Sequence, residues 1–254
     1  MTAAPASARP LAAPSAALAT RLAEAARQLD VPLTPEQSAT LLAYLDWLAK
    51  WNRVYNLTAL RQPDEMFSHH LVDSLSAVAP LRRHGQALQP GCAPAAPAGG
   101  HAPPLRVLDV GSGGGLPGVV LAVCLPQVQV TCVDTVAKKA AFIQQVAVSL
   151  RLPNLRGVHA RVESLAGPFD VITSRAFASL VDFTQWSRPA LAPGGVWMAM
   201  KGQHPEAELA DLAAQAPGVE VFHVEPLHVP GLDAQRCLVW LRARAAAAAG
   251  GPAG

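Results

Sequence analysis

Cysteine, aromatic residues and net charge are all scarce in this chain, and each scarcity narrows the possible functions. The four cysteines, Cys92, Cys124, Cys132 and Cys237, form no Cys-x-x-Cys pair and no His-x3–5-His run accompanies them. The ligand spacing of a structural zinc site is missing, so no metal is expected. Cys124 and Cys132 sit among apolar residues and read as buried, inert thiols, and nothing implies an oxidising compartment. Charged residues make up 15% and the formal net charge is only +2. That near-neutrality neither demands nor excludes a nucleic acid, because local clustering decides such binding. The longest apolar stretch, Leu116–Pro126, carries a glycine and is too short to span a bilayer. The first residues, Met1–Thr20, have no basic start followed by a continuous apolar run, so no secretory signal is read. The expectation is a cytoplasmic protein without a membrane partner, and nothing calls for more than a monomer.

What is present suits an enzyme. The 254 residues fit one catalytic domain with an appended helical segment. Hydrophobic residues reach 51%, although alanine inflates that figure. Three segments rich in Ala, Pro and Gly read as additions that cannot bury enough apolar surface to offset ordering entropy: a disordered extension at 1–17, an insertion or linker at 84–104, and a flexible tail at 245–254. Between them lie a helical segment, 18–83, and a core, 105–244. In the helical segment, Thr34-Pro35-Glu36-Gln37 supplies a cap, a first-turn proline and Gln at the capping-box position. Leu41, Leu45, Leu48, Tyr44 and Trp51 then recur at helical spacing. A second helix is expected from Pro63-Asp64-Glu65 to Pro80.

From Leu105 strand and helix alternate. Strands are expected at 105–110, 128–133, 155–159, 169–173 and 196–200, with helices at 117–125, 137–150, 180–191 and 206–214. Two closing strands, 219–224 and 236–241, suggest an antiparallel pair. The pattern argues for α/β architecture: a doubly wound, mostly parallel, Rossmann-like sheet with an antiparallel C-terminal strand. The first strand ends in Asp109-Val110-Gly111-Ser112-Gly113-Gly114-Gly115-Leu116-Pro117-Gly118, a glycine turn opening a helix, and ligands of doubly wound folds bind at such strand ends. Dinucleotide binding wants G-x-G-x-x-G, and Leu116 stands where the third glycine belongs. Asp109 would repel a pyrophosphate and suits a ligand with a positive amino group. Asp134, closing the second strand, is placed to accept from ribose hydroxyls. Together these features form the constellation of S-adenosylmethionine (SAM) binding, with Gly111, Gly113, Asp109 and Asp134 as candidate contacts. The alternative is structural: Asp109 caps the turn and Asp134 caps the next helix, and the two readings are compatible.

Other runs resemble one family closely. Trp51-Asn52-Arg53-Val54-Tyr55-Asn56-Leu57-Thr58, His69-His70-Leu71-Val72-Asp73-Ser74, the turn through Leu116-Pro117-Gly118, Ser174-Arg175-Ala176-Phe177-Ala178 and Lys201-Gly202 are similar to the RsmG (GidB) family of bacterial small-subunit rRNA methyltransferases. The resemblance covers about residues 33–82 and 106–241. It implies a class I SAM-dependent methyltransferase fold and methylation at N7 of one guanine, position 527, in 16S rRNA of the 30S subunit. It also implies SAM contacts at Gly111, Leu116, Val162, Glu163 and Arg175. The 84–104 stretch and the two ends depart from the family as additions.

Guanine N7 has a free lone pair and no proton, so no general base is required and positioning supplies the rate. No catalytic residue is certain on these grounds; Arg175 and Lys201, each after a strand, are the candidates. Lys138, Lys139, Arg53 and His69 join them as candidate RNA contacts, Lys138 and Lys139 being equally readable as a solvated face. N7 lies in the deep, narrow groove of A-form RNA, so the target must sit in a loop or be extruded. Three rivals remain: a SAM enzyme acting on another RNA, a small molecule or a protein; a nicotinamide oxidoreductase; and a ribosome-binding protein that has kept SAM affinity without catalysis.

Overall fold

The computed structural model describes residues 16–88, 103–177 and 179–244. Most of the 1–17 extension and of the 84–104 insertion, the whole 245–254 tail and Ala178 lie outside the described residues. The chain opens with α1 (Ala16–Gln28) and α2 (Pro35–Tyr55). The capping box expected at α2 forms: the Gln37 N–H donates to Thr34 Oγ1 at 3.2 Å, and the Thr34 N–H donates to Gln37 Oε1 at 3.0 Å. Leu41, Tyr44, Leu45 and Leu48 are buried along one stripe, as their spacing predicts.

The single helix expected from 63 to 80 is instead broken. It comprises α3 (Pro63–Met66), a π-helical turn (Phe67–Val72), α4 (Asp73–Leu75) and, after a short break, α5 (Val78–Leu88). Hydropathy carries no signal for the wider π turn, a feature frequent at functional sites. Pro80 does not end the segment. It is the third residue of α5, where its missing N–H has no intrahelical partner to lose. Residues 84–88, assigned by composition to the insertion, therefore continue α5.

The core follows as β1 (Arg106–Val110), α6 (Gly118–Cys124), β2 (Gln129–Asp134), α7 (Ala137–Ser149), β3 (Leu155–His159), β4 (Phe169–Arg175), α8 (Leu180–Ser187), β5 (Leu191–Lys201), α9 (Glu206–Gln215), β6 (Val219–Leu227) and β7 (Arg236–Ala243). The helix expected at 180–191 stops at Ser187. A single 3-10 turn, Arg188–Ala190, follows, and β5 starts at Leu191, absorbing Pro193-Gly194-Gly195 into the strand beside a register shift in β4. The sheet order is β3-β2-β1-β4-β5-β7-β6. Strands β1 to β5 pair in parallel, while β7 runs antiparallel to both β5 and β6. The direction of winding reverses between β1 and β4, the switch point at which such sheets bind ligands.

Strand residues alternate between two apolar clusters. Val107, Val171, Val196, Met198 and Met200 face α6, α7 and the N-terminal helices; Leu108, Val110, Ile172, Trp197 and Ala199 face α8 and α9. The first cluster runs without interruption from Leu22 and Leu41 through Leu71 and Val119 to Leu238, so the N-terminal helices share a core with one sheet face. No helix among the described residues is long and apolar enough to cross a membrane.

Candidate active site

The glycine turn is the carboxyl end of β1 and is held from several sides. Gly111 and Gly113 take positive φ values of 65° and 57°, a region open to glycine at little cost. The N–H groups of Gly111 and Ser112 donate to Val133 O, that of Gly113 to Asp134 Oδ2, and those of Gly115 and Leu116 to Ser112 O. Because these amides are occupied, the turn offers a shape to a ligand rather than the row of free donors that a pyrophosphate needs. A Cβ at Gly113 would meet nothing within 4 Å, so the turn faces open space there.

That space is a cavity of about 440 Å³ lined by the turn, Arg175 and Ala176 of the β4 end, Lys201 of β5, Arg236 of β7, and Leu57, Thr58, His69, His70 and Asp73 of the helical segment. Asp73 is 3% exposed and lies between two arginines. Its Oδ2 accepts from Arg175 Nη1 at 3.0 Å and its Oδ1 from Arg236 Nε at 2.8 Å. Arg175 also donates to His69 O at 2.8 Å and lies 3.2 Å from His70 Nδ1. The same Nδ1 also lies 3.2 Å from His69 O, and Nε2 lies 2.6 Å from Thr58 Oγ1. Burial, and then the Arg175 charge, push His70 down to about 4 and keep it neutral near pH 7. Lys201 is held by Glu208 Oε2 at 2.7 Å, an oxygen that also accepts from the Leu180 N–H at 2.9 Å.

Of the residues expected from sequence, the cavity collects Gly111, Gly113, Leu116, Arg175, Lys201 and His69. Asp109, Asp134, Val162, Glu163, Arg53, Lys138 and Lys139 are not in its lining. Both acids are instead engaged by backbone N–H groups of the protein, although Asp134 is not the cap of α7. Asp134 Oδ1 accepts from the Val136 N–H at 2.9 Å ahead of α7, and Oδ2 braces Gly113. Asp109 shares the β1 face of Val107, so it points under α6 and accepts from the Gly118 N–H at 2.8 Å. Glu163 is exposed and paired with Arg161 at 3.2 Å, while Val162 of the same 3-10 turn, Val162–Ser164, is buried. Asp73, Arg236, Thr58 and Glu208 received no role from sequence. Asp73 stands inside a quoted motif, but its arginine partners are 102 and 163 residues away along the chain.

Two of these contacts give testable outcomes. Tyr44 is fully buried and its hydroxyl donates to Gly114 O at 2.7 Å, fixing the turn from α2. Tyr44→Phe leaves a buried carbonyl short of a donor. It is expected to cost about 1–3 kcal/mol, read as a fall of roughly 2–4 °C in Tm per kcal/mol, together with weaker SAM binding by calorimetry. Asp109 is the second case: burial pushes its carboxyl from the ordinary 3.8 up to about 7. A carboxyl that holds its proton more tightly when folded penalises folding as pH rises from about 4 to 7, and the penalty is constant above that. The stability of Asp109→Asn relative to the unsubstituted chain should therefore climb across that window, by at most about 1.36 kcal/mol per pH unit, and then level off. Denaturant titrations at a series of pH values measure this, and a pH-independent difference would contradict it.

Comparisons with known proteins find one family. Residues 37–239 match the family model described as rRNA small subunit methyltransferase G (GidB). The chain is 60% identical over 236 residues to ribosomal RNA small subunit methyltransferase G of Paracidovorax citrulli, covering 92% of this chain and 93% of that one. It is 62% identical over 221 residues to the protein of the same name from Acidovorax sp. strain JS42, covering 87% and 93%. Among solved structures, TrmN from Thermus thermophilus matches 67% of this chain and 49% of its own at 20% identity, with a TM-score of 0.48.

Proposed function

Since this chain belongs to the rRNA small subunit methyltransferase G family, we propose that its switch-point cavity transfers the methyl group of SAM to N7 of one guanine, position 527, in the 16S rRNA of the small ribosomal subunit. The observation that carries this reading is the cavity itself, with a glycine turn most of whose amides are already occupied on one side and a two-arginine, one-carboxylate cluster on the other. The fit to SAM rests on the open space over Gly113 and on the internal hydrogen bonds of the Gly111, Ser112, Gly113, Gly115 and Leu116 amides, which suit an adenosyl amino acid better than a pyrophosphate. Gly111, Gly113, Leu116 and Arg175 are the residues that would hold it, and bound there it supplies a methyl group on a positively charged sulfur.

The chain's own work is positional. The guanine N7 lone pair forms the new N–C bond as the S–C bond breaks; the departing sulfur takes the electron pair, and no proton moves. Neutral His70 is not needed as a base, and its hydrogen bonds with Arg175 and Thr58 make it an orienting group. Arg175 and Arg236 leave one positive charge in excess of Asp73 on the cavity wall, which favours the polyanionic RNA. Holding the two reactants in line is worth several kcal/mol of barrier by itself.

The test uses labelled SAM and 30S subunits from a strain lacking the modification, with borohydride–aniline cleavage to map N7-methylguanine. One new cleavage in the decoding-region loop, lost with Arg175→Ala, is expected. Labelling at another nucleotide would move the target, and SAM binding without transfer to subunits or RNA would overturn the reading.

A further inference from the structure

We propose that Trp186 and Phe177 form a stacking surface at the rim of the cavity for an unpaired RNA base beside the methylated guanine; this rests on the rRNA reading above. Large apolar side chains exposed singly are ordinary on a protein surface. Trp186, 41% exposed, is distinguished by its place. It is the outer end of an aromatic ladder that starts in the core. Phe183, 1% exposed, packs against Phe177 at 5.6 Å between ring centroids, and Phe177 packs against Trp186 at 5.7 Å with the rings 74° apart. Phe183 and Trp186 are three residues apart on α8 and so share one helix face.

The inner end of the ladder is tied to the site. Arg175 and Ala176, which immediately precede Phe177, line the cavity, and a Cβ on Gly111 would lie 3.6 Å from Phe177 Cδ2. Lys201 Nζ, also in the lining, reaches Phe177 O at 3.4 Å. Ala176 takes φ 57°, a left-handed backbone conformation that costs a non-glycine residue roughly 1–2 kcal/mol. This turn carries the chain out of the β4 direction, and Phe177 follows it at the rim. Strain kept at such a place goes with a positioning role.

Beyond this nearly perpendicular contact, Trp186 keeps 41% of its surface exposed. An unstacked base is the occupant that matches. Every base presents a π face, and sequence-specific RNA recognition splays bases onto aromatic side chains. Arg175 and Arg236 in the cavity lining, one charge in excess of Asp73, supply positive charge for the backbone of a splayed strand. Methylating N7 of an extruded guanine exposes its former stacking neighbour, and the ladder offers a surface that would replace the lost stack.

Steady-state methyl transfer to unmodified 30S subunits, run beside calorimetric SAM binding and thermal unfolding, tests this. Trp186→Ala is expected to raise the KM for subunits by roughly 5- to 150-fold, with SAM affinity and Tm unchanged, and Trp186→Phe to restore most of the loss. If alanine lowers the Tm, Trp186→Met, apolar and helix-compatible but without a π face, takes its place with the same expected outcome. An unchanged subunit KM in a variant of an otherwise active enzyme would overturn the stacking surface and leave the rRNA reading standing. A loss confined to SAM affinity would overturn it in favour of contact with the adenine of SAM. Failure of the unsubstituted chain to methylate subunits would sink both.

Discussion

Replacing Asp73 with alanine is expected to lower kcat/KM for small subunits by roughly a hundredfold, the scale on which small misplacements of positioning groups act. Asp73 bonds both Arg175 and Arg236, and it does so from the N-terminal helices while the arginines come from β4 and β7. Without it, two guanidiniums of like charge share a cavity wall, with side chains 19% and 22% exposed. Removing one partner of a buried pair costs about 3–5 kcal/mol. The partial exposure of both arginines puts this cluster toward the lower end. Asp73→Asn separates the two effects. It keeps the volume and one acceptor oxygen, so most of the stability should return, while one arginine still loses its anchor and turnover stays low. Thermal unfolding and steady-state kinetics on the two variants read these quantities independently. Near-normal kcat/KM in Asp73→Asn alongside a restored Tm would show that the carboxylate only holds the fold.

Gly118→Ala is expected to be strongly destabilising. Gly118 is the first residue of α6 and lies directly against β1 and β2. A Cβ there would collide with Cys132 Sγ and stand 2.8 Å from Asp109 Oδ2, and both neighbours are fully buried. Neither is the free end of a flexible chain, so α6 itself must lift. Overpacking of this kind costs about 1–3 kcal/mol or more, equivalent to roughly 2–4 °C per kcal/mol in a chain of this size. Because α6 continues from the glycine turn, SAM affinity should fall with stability. The double variant Gly118→Ala/Cys132→Ala removes the sulfur that blocks the new methyl, so its loss should be smaller than the sum of the two single losses. Strict additivity, measured by denaturant unfolding, would place the damage elsewhere.

Much of this fold is local chemistry written into adjacent residues. The Thr34–Gln37 capping box, the alternating strands and the glycine turn each depend on neighbours within a few positions, and so they can be read along the chain. The cavity half formed by Gly111, Gly113, Arg175 and Lys201 was legible for the same reason, since strand ends in a doubly wound sheet converge by topology, while Leu116 was legible only through the family resemblance. The π turn at Phe67–Val72 and the passage of α5 through Pro80 were not, because hydropathy does not distinguish one helical winding from another. Nor was the direction of a single carboxylate. Asp109 and Asp134 look alike at the ends of successive strands, yet β1 pleating turns Asp109 beneath α6 while Asp134 faces Gly113 and α7. The other half of the cavity is purely tertiary. Asp73, Arg175 and Arg236 meet only when the N-terminal helices dock on the sheet, and Trp186 reaches the rim only through Phe177. Burial of the shared apolar cluster drives that docking, and the docking, rather than any run of residues, brings these charges and rings to one place.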